Sequence, residues 1–178
     1  MLQKCHIFAV AAVFFHEPTK DHYLMEIARK AGIAHTSVKR FLAEFKKMGI
    51  IDRFGEKKGK RFFPAFRARI NSIEYRRVKR IYNLFVLEKS GLIDLLQDRF
   101  MPKAVVLFGS FAWGEDIEDS DIDLFVASKE RPIDLARFKI ALHRKIQLHF
   151  KQSVKDYPPE LRNNIINGIV LRGYMEAF

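Results

Sequence analysis

One cysteine, Cys5, stands among 178 residues. That excludes an internal disulfide, and the thiol reads as a small buried hydrophobe. No apolar run reaches the roughly 18 residues that a membrane span needs. The longest near the start, Ile7 to Phe15, is ended by His16-Glu17-Pro18. No small-residue cleavage site follows it, which favours a buried helix over a signal peptide. A cytoplasmic location with no membrane partner is the resulting expectation. No internal repeat or low-complexity segment is visible, and no proline or glycine interrupts Arg67 to Lys89. What remains is 48% hydrophobic and 30% charged, the balance of a soluble globular chain. Its 17 phenylalanines are enough for two modest cores.

Charge is unevenly spread. Residues 1–100 hold 21 of the 32 Lys and Arg but 10 of the 21 Asp and Glu, so the entire excess of +11 lies there. Residues 101–178 are balanced, yet Glu115 to Asp123 contains six acids and no base. A basic part joined to an acidic hot spot implies two partners, a polyanion for the first and a divalent cation for the second.

Three helices are expected in the basic part. The first spans Cys5 to Phe15. The second runs from about Asp21 to Lys30, with Leu24, Ile27 and Ala28 on one face, and Gly32 is a natural C-cap. The third runs from His35 to Met48, with Val38, Phe41, Leu42 and Phe45 in one stripe. Two helices across a short glycine-bearing turn describe a helix-turn-helix, which would place Thr36, Ser37, Lys39 and Arg40 toward a major groove. A strand at Ile50–Phe54, a turn over 55–60 and a return strand from Arg61 complete the pattern of a winged helix over residues 1–66. Lys57, Lys58 and Lys60 would meet phosphates from the wing. DNA is the expected partner; a protein-binding or purely structural role stays open, since both also use such folds. Residues 67–89 are expected as a connector helix. Its Arg76, Arg77, Lys79 and Arg80 form a basic cluster, either solvated or an extension of a nucleic-acid surface. Leu92 to Leu96 should form a further short helix before Pro102.

The chemistry lies in residues 103–126. Ala104 to Phe108 is a continuous apolar run, suited to a strand buried on both faces. It stops at Gly109-Ser110, where glycine lets the backbone approach a ligand and N–H groups with the Ser110 hydroxyl can hold phosphate oxygens. Ten residues later comes Asp121-Ile122-Asp123-Leu124. Alternation along a strand puts Asp121 and Asp123 on one side, roughly 7 Å apart, and Ile122 and Leu124 in the core. Such a pair suits Mg²⁺ or Mn²⁺, which takes carboxylate and phosphate oxygens together.

Phe108-Gly109-Ser110, a ten-residue gap and Asp121-Ile122-Asp123-Leu124 resemble the signature of the polymerase-β-like nucleotidyltransferases. Phe111-Ala112-Trp113-Gly114 and Ser120 are similar to the minimal members in particular. The similarity covers residues 90–178. It implies a small mixed sheet with helices on one side, making the whole chain α+β. It also implies an NTP substrate, ATP first among candidates, with a divalent metal at Asp121 and Asp123 and phosphates at Gly109, Ser110 and Ser120. The acceptor hydroxyl is unknown; a protein acceptor fits the likeness to antitoxins that modify a toxin-like partner, and such a protein would also bind DNA. A homo-oligomer is compatible with all of this.

The sequence departs from the family at one point. Active members carry a third carboxylate on a later strand, where this chain has Lys145-Ile146-Gln147-Leu148-His149-Phe150 after a helix expected from Ile133 to Arg144. The nearest later acids are Asp156 and Glu160. His149 could act as general base, since histidine titrates near about pH 6.5, or be a strand residue without a role. The alternative to an enzyme is therefore a DNA-binding regulator whose C-terminal domain binds a nucleotide or a partner without turnover. The tail is expected as a helix over Glu160–Gly168 followed by a strand at Ile169–Leu171.

Overall fold

The computed structural model describes residues 6–58 and 61–175, without the side chains of 56–58, 61 and 62. The chain forms two compact units, Met1–Val78 and Lys79–Phe178.

In the first unit, α1 (His6–His16) buries Val10, Val13, Phe14 and Phe15. β1 (Asp21–Tyr23) leads into α2 (Leu24–Ala31), and Gly32, at φ 66°, ends that helix by donating its N–H to the carbonyls of Ala28 and Arg29. α3 (His35–Lys47) buries Val38, Leu42 and Phe45. Phe41, expected in the same stripe, is half-buried under Arg40, whose guanidinium lies 5.2 Å from its ring centre. β2 (Ile51–Lys58) and β3 (Arg61–Ala68) form an antiparallel hairpin, and the sheet order is β1-β3-β2.

Two expectations change here. Asp21–Tyr23 is a strand rather than the start of a helix, because it pairs with Arg67, Phe66 and Ala65 far along the chain. Arg67 grips the Asp21 carboxylate with two hydrogen bonds of 2.5 and 2.8 Å. His22 is fully buried edge-on against Phe14, its Nε2 3.1 Å from the Glu17 carbonyl. The hairpin is also longer than its sequence suggested, so Lys57 and Lys58 sit on β2 rather than in a turn.

The connector helix starts later than expected. Residues 67 and 68 belong to β3, and α4 (Ile73–Lys89) begins where the Ser72 hydroxyl accepts the Tyr75 N–H at 3.1 Å.

In the second unit, α5 (Leu92–Phe100) precedes β4 (Ala104–Phe108), α6 (Gly109–Trp113) and β5 (Ile122–Ala127). Then follow α7 (Ala136–Leu142), β6 (Ile146–Lys151), a turn of 3-10 helix (Val154–Asp156), α8 (Pro159–Ile166) and β7 (Ile169–Gly173). The strand order is β6-β5-β4-β7; β5 and β6 run parallel and the other pairs antiparallel. α7 is shorter than expected: Asp134 accepts the Ala136 N–H at 2.8 Å, and His143 ends the helix with φ 53°.

The sheet is covered on both faces, not one. Val105, Leu107, Ile122, Leu124 and Val126 pack with Leu92, Leu96, Phe111 and Phe138. Ala104, Val106, Phe108, Phe125 and Ala127 pack with Val154 and Ile165. All five residues of β4 are buried for this reason, and burial of that much aliphatic and aromatic surface is the main driving force for this unit.

Candidate active site

β4 and β5 bring the two halves of the motif together, pairing Phe108 with Asp123. Gly109 takes φ 73°, a left-handed conformation costly for any other residue. A Cβ at Gly109 would stand 2.6 Å from Asp123 Oδ2, inside contact distance. The backbone conformation favours glycine here, and any side chain would also displace the Asp123 carboxylate. The Gly-Ser corner is the first turn of α6 rather than a simple strand end.

Asp121 lies one residue before β5, yet burial still alternates: Asp121 and Asp123 are half-buried, Ile122 and Leu124 fully buried. Among the described residues no Lys or Arg pairs with either aspartate. Asp123 Oδ1 instead lies 3.3 Å from His149 Nε2, with the side chains about one fifth exposed (18% and 24%). The His149 ring centre is 5.1 Å from that of Phe108. Half-buried carboxylates without a Lys or Arg counter-ion are a donor set that a divalent cation takes, so these residues fit the metal the motif implies. In the parallel pairing Asp123 faces Gln147, and no carboxylate occupies that stretch of β6. Asp156 and Glu160 lie beyond β6 and are exposed.

Ser110 is half-buried at the corner. The Ser120 hydroxyl oxygen accepts the Ile117 N–H at 2.9 Å, so it shapes the loop before Asp121.

Sequence reasoning missed what holds that loop. Asp116, counted among the six acids, is buried. Its Oδ1 accepts a hydrogen bond from Asn83 Nδ2 at 2.8 Å and lies 3.1 Å from Lys79 Nζ. Its Oδ2 lies 3.2 Å from a terminal nitrogen of Arg144, and Lys79 also donates to its backbone carbonyl. Asn83 donates to the Phe111 carbonyl at 2.9 Å, tying α6 to α4. Lys79, read from sequence as part of a basic surface, is fully buried. Burial lowers its pKa while the Asp116 carboxylate opposes the shift. The tyrosine beside this cluster in sequence, Tyr82, is pushed up to about 12 by burial. Asn83 at one turn from Lys79 on an amphipathic helix was the one available signal, since both interrupt its apolar face.

In the first unit Thr36, Lys39 and Arg40 are exposed on α3 and Ser37 is half-buried. The side chains of Lys57 and Lys58, and Lys60 altogether, lie outside the described residues. Glu17, His22 and Glu26 bring ligand-type atoms within 4.8 Å of one another. Glu17 and Glu26 are already bonded to Lys30, and Glu17 also to Lys20 at 2.6 Å. These lysine hydrogen bonds, Lys20's first, hold the Glu17 carboxyl down at about 2. The trio is therefore an internally neutralised staple between α1 and α2, not a metal site.

Among the described residues no helix is long and apolar enough to cross a membrane. No curated protein matches the chain. Residues 90–175 match the family model described as Polymerase beta, Nucleotidyltransferase, so this part of the chain is similar to that family.

Proposed function

We propose that residues 90–175 transfer a nucleoside monophosphate from an NTP to an acceptor hydroxyl. The contact between Gly109 and Asp123 carries this reading: the backbone corner suited to phosphates abuts a carboxylate suited to a cation. The nucleotidyltransferase family generally uses an NTP and a divalent metal. Asp121 and Asp123 would hold that metal, which supplies neutralisation of triphosphate charge. Gly109 and Ser110 would bind phosphate oxygens, and ATP is the first nucleotide to test. The acceptor oxygen bonds to the α-phosphorus, the bond to the β-phosphate bridge breaks, and pyrophosphate leaves. In the tautomer that donates Nε2–H to Asp123, the His149 Nδ1 lone pair would be left for the acceptor's proton.

The helix, strand, helix, helix, strand, strand order of the first unit, with sheet order β1-β3-β2, supports a winged helix there. Exposed Thr36, Lys39 and Arg40 and the concentration of positive charge support DNA as its ligand. A toxin-like protein acceptor, autoregulation on DNA and a cytoplasmic site of action complete this reading.

A second reading is a DNA-binding regulator that holds nucleotide without turnover. Gln147 opposite Asp123, where a carboxylate would be needed, favours it. Incubation with α-labelled ATP, Mg²⁺ and cell extract separates the two. Transfer of label to a macromolecule, lost in Asp121→Ala, supports the enzyme. Nucleotide binding without transfer to any acceptor supports the regulator and removes the enzyme.

A further inference from the structure

A concave groove of about 630 Å³ opens between α3 and the β2–β3 hairpin of the first unit. Leu42, Ala43, Pro64 and Phe66 contribute its apolar surface. Lys39, Lys46, Lys47 and Arg53 line it as well, all four exposed. No acidic residue lines it, and among the described residues none of the four cations has an ion-pair partner. Of the neighbouring acids, Asp52 pairs with Arg69 and Asp21 with Arg67.

We propose that this groove docks an acidic amphipathic helix of a partner protein, apolar side chains inward and carboxylates toward the four cations. Two features select that occupant. The groove has the size of a site that takes a few side chains, and its apolar surface needs apolar partners to gain from burial. A nucleic-acid strand, polar along its whole backbone, would satisfy the cations and leave that surface unfilled. The second feature is spacing. Lys39 and Lys46 are two turns apart on α3, roughly 10 Å by the helical rise. Carboxylates two turns apart on a partner helix match that distance, with an apolar stripe between them. This is the helix-in-groove mode of recognition with charge setting orientation. It runs along α3 from Lys39, which it shares with the surface proposed for DNA, to Lys46 and Lys47, and it does not need nucleotide transfer.

Fluorescence anisotropy on the full chain tests it. The probe is a labelled helical peptide with Leu and Phe on one face and Glu on the other. The controls are the same peptide with serine for Leu and Phe, and a duplex and a single-stranded oligonucleotide of equal charge. The serine peptide is expected to bind at least about tenfold more weakly than the probe, since its apolar contacts are gone. Lys46→Glu combined with Lys47→Glu should weaken the probe about tenfold or more by reversing the rim. Ala43→Phe should do the same by filling the groove without changing its charge. Ala43 is exposed, so this variant is expected to fold, and melting curves check both proteins. Equal binding of the serine peptide, or a probe indifferent to Ala43→Phe, would overturn the proposal. So would failure of the probe to bind; oligonucleotide binding weakened by Ala43→Phe would then make the groove a nucleic-acid surface.

Discussion

Replacing Asp116 by alanine should nearly unfold the second unit, although the residue sits in a loop and belongs to no part of the motif. Asp116 answers two buried cations, Lys79 and Arg144, at 3.1 and 3.2 Å. Removing it leaves both without their carboxylate in a low-dielectric interior. Breaking a buried pair in this way costs about 3–5 kcal/mol, against a total stability of about 5–15 kcal/mol for a domain. For a unit of this size each kcal/mol moves the melting temperature by about 4–8 °C, so a fall of at least about 12 °C is expected. Asp116→Asn keeps the shape and one acceptor oxygen and should fall in between. Lys79→Met added to Asp116→Ala should recover part of the loss, because one of the two stranded charges is gone. Thermal and guanidinium melts of the four proteins decide it. A loss below about 1 kcal/mol for Asp116→Ala would mean that water reaches the cluster and solvates it, refuting the burial on which the estimate rests.

Other consequences can be measured separately. Mg²⁺ should raise the melting temperature of the parent chain and not of Asp121→Asn/Asp123→Asn, since stabilisation requires binding to the folded state; equal stabilisation of both would remove the metal from this site. Gly109→Ala should cost about 1–2 kcal/mol from its left-handed φ and abolish the Mg²⁺ response, because the new methyl displaces the Asp123 carboxylate. Glu17 is held down to about 2 from its ordinary 4.5, so its stabilisation of the α1–α2 staple is complete above about pH 4.5 and lost as pH falls toward 2; Glu17→Gln should lack that part of the acid transition. Duplex DNA binding should weaken steeply with salt, and Lys39→Ala or Arg40→Ala should each lower the slope of log K against log salt by about one; affinity indifferent to ionic strength would exclude the electrostatic surface proposed for α3.

Local patterns carried much of this. The stripe of Val38, Leu42 and Phe45 on α3, the buried run of Ala104 to Phe108 and the alternation from Asp121 to Leu124 were readable because each depends on the period of its own element. The pairing of Gly109-Ser110 with Asp121 and Asp123 was readable because glycine and acidic residues at that spacing interrupt otherwise apolar strands. Contacts between distant segments could not be read in the same way. Asp21–Tyr23 has helix-compatible residues, and only its pairing with Ala65 to Arg67 makes it a strand. Asp116 and Lys79 look like solvated charges in any short window, and only the fold brings them together and shuts out water. His149 was visible as the residue replacing an acid, but its approach to Asp123 follows from the register of β5 on β6. Sequence alone thus determined most of the elements and the spacing of the motif's residues, since both reside in neighbouring residues. The tertiary structure alone decided which charges are buried and what each carboxylate answers, since an electrostatic environment is set by chain segments that meet only on folding.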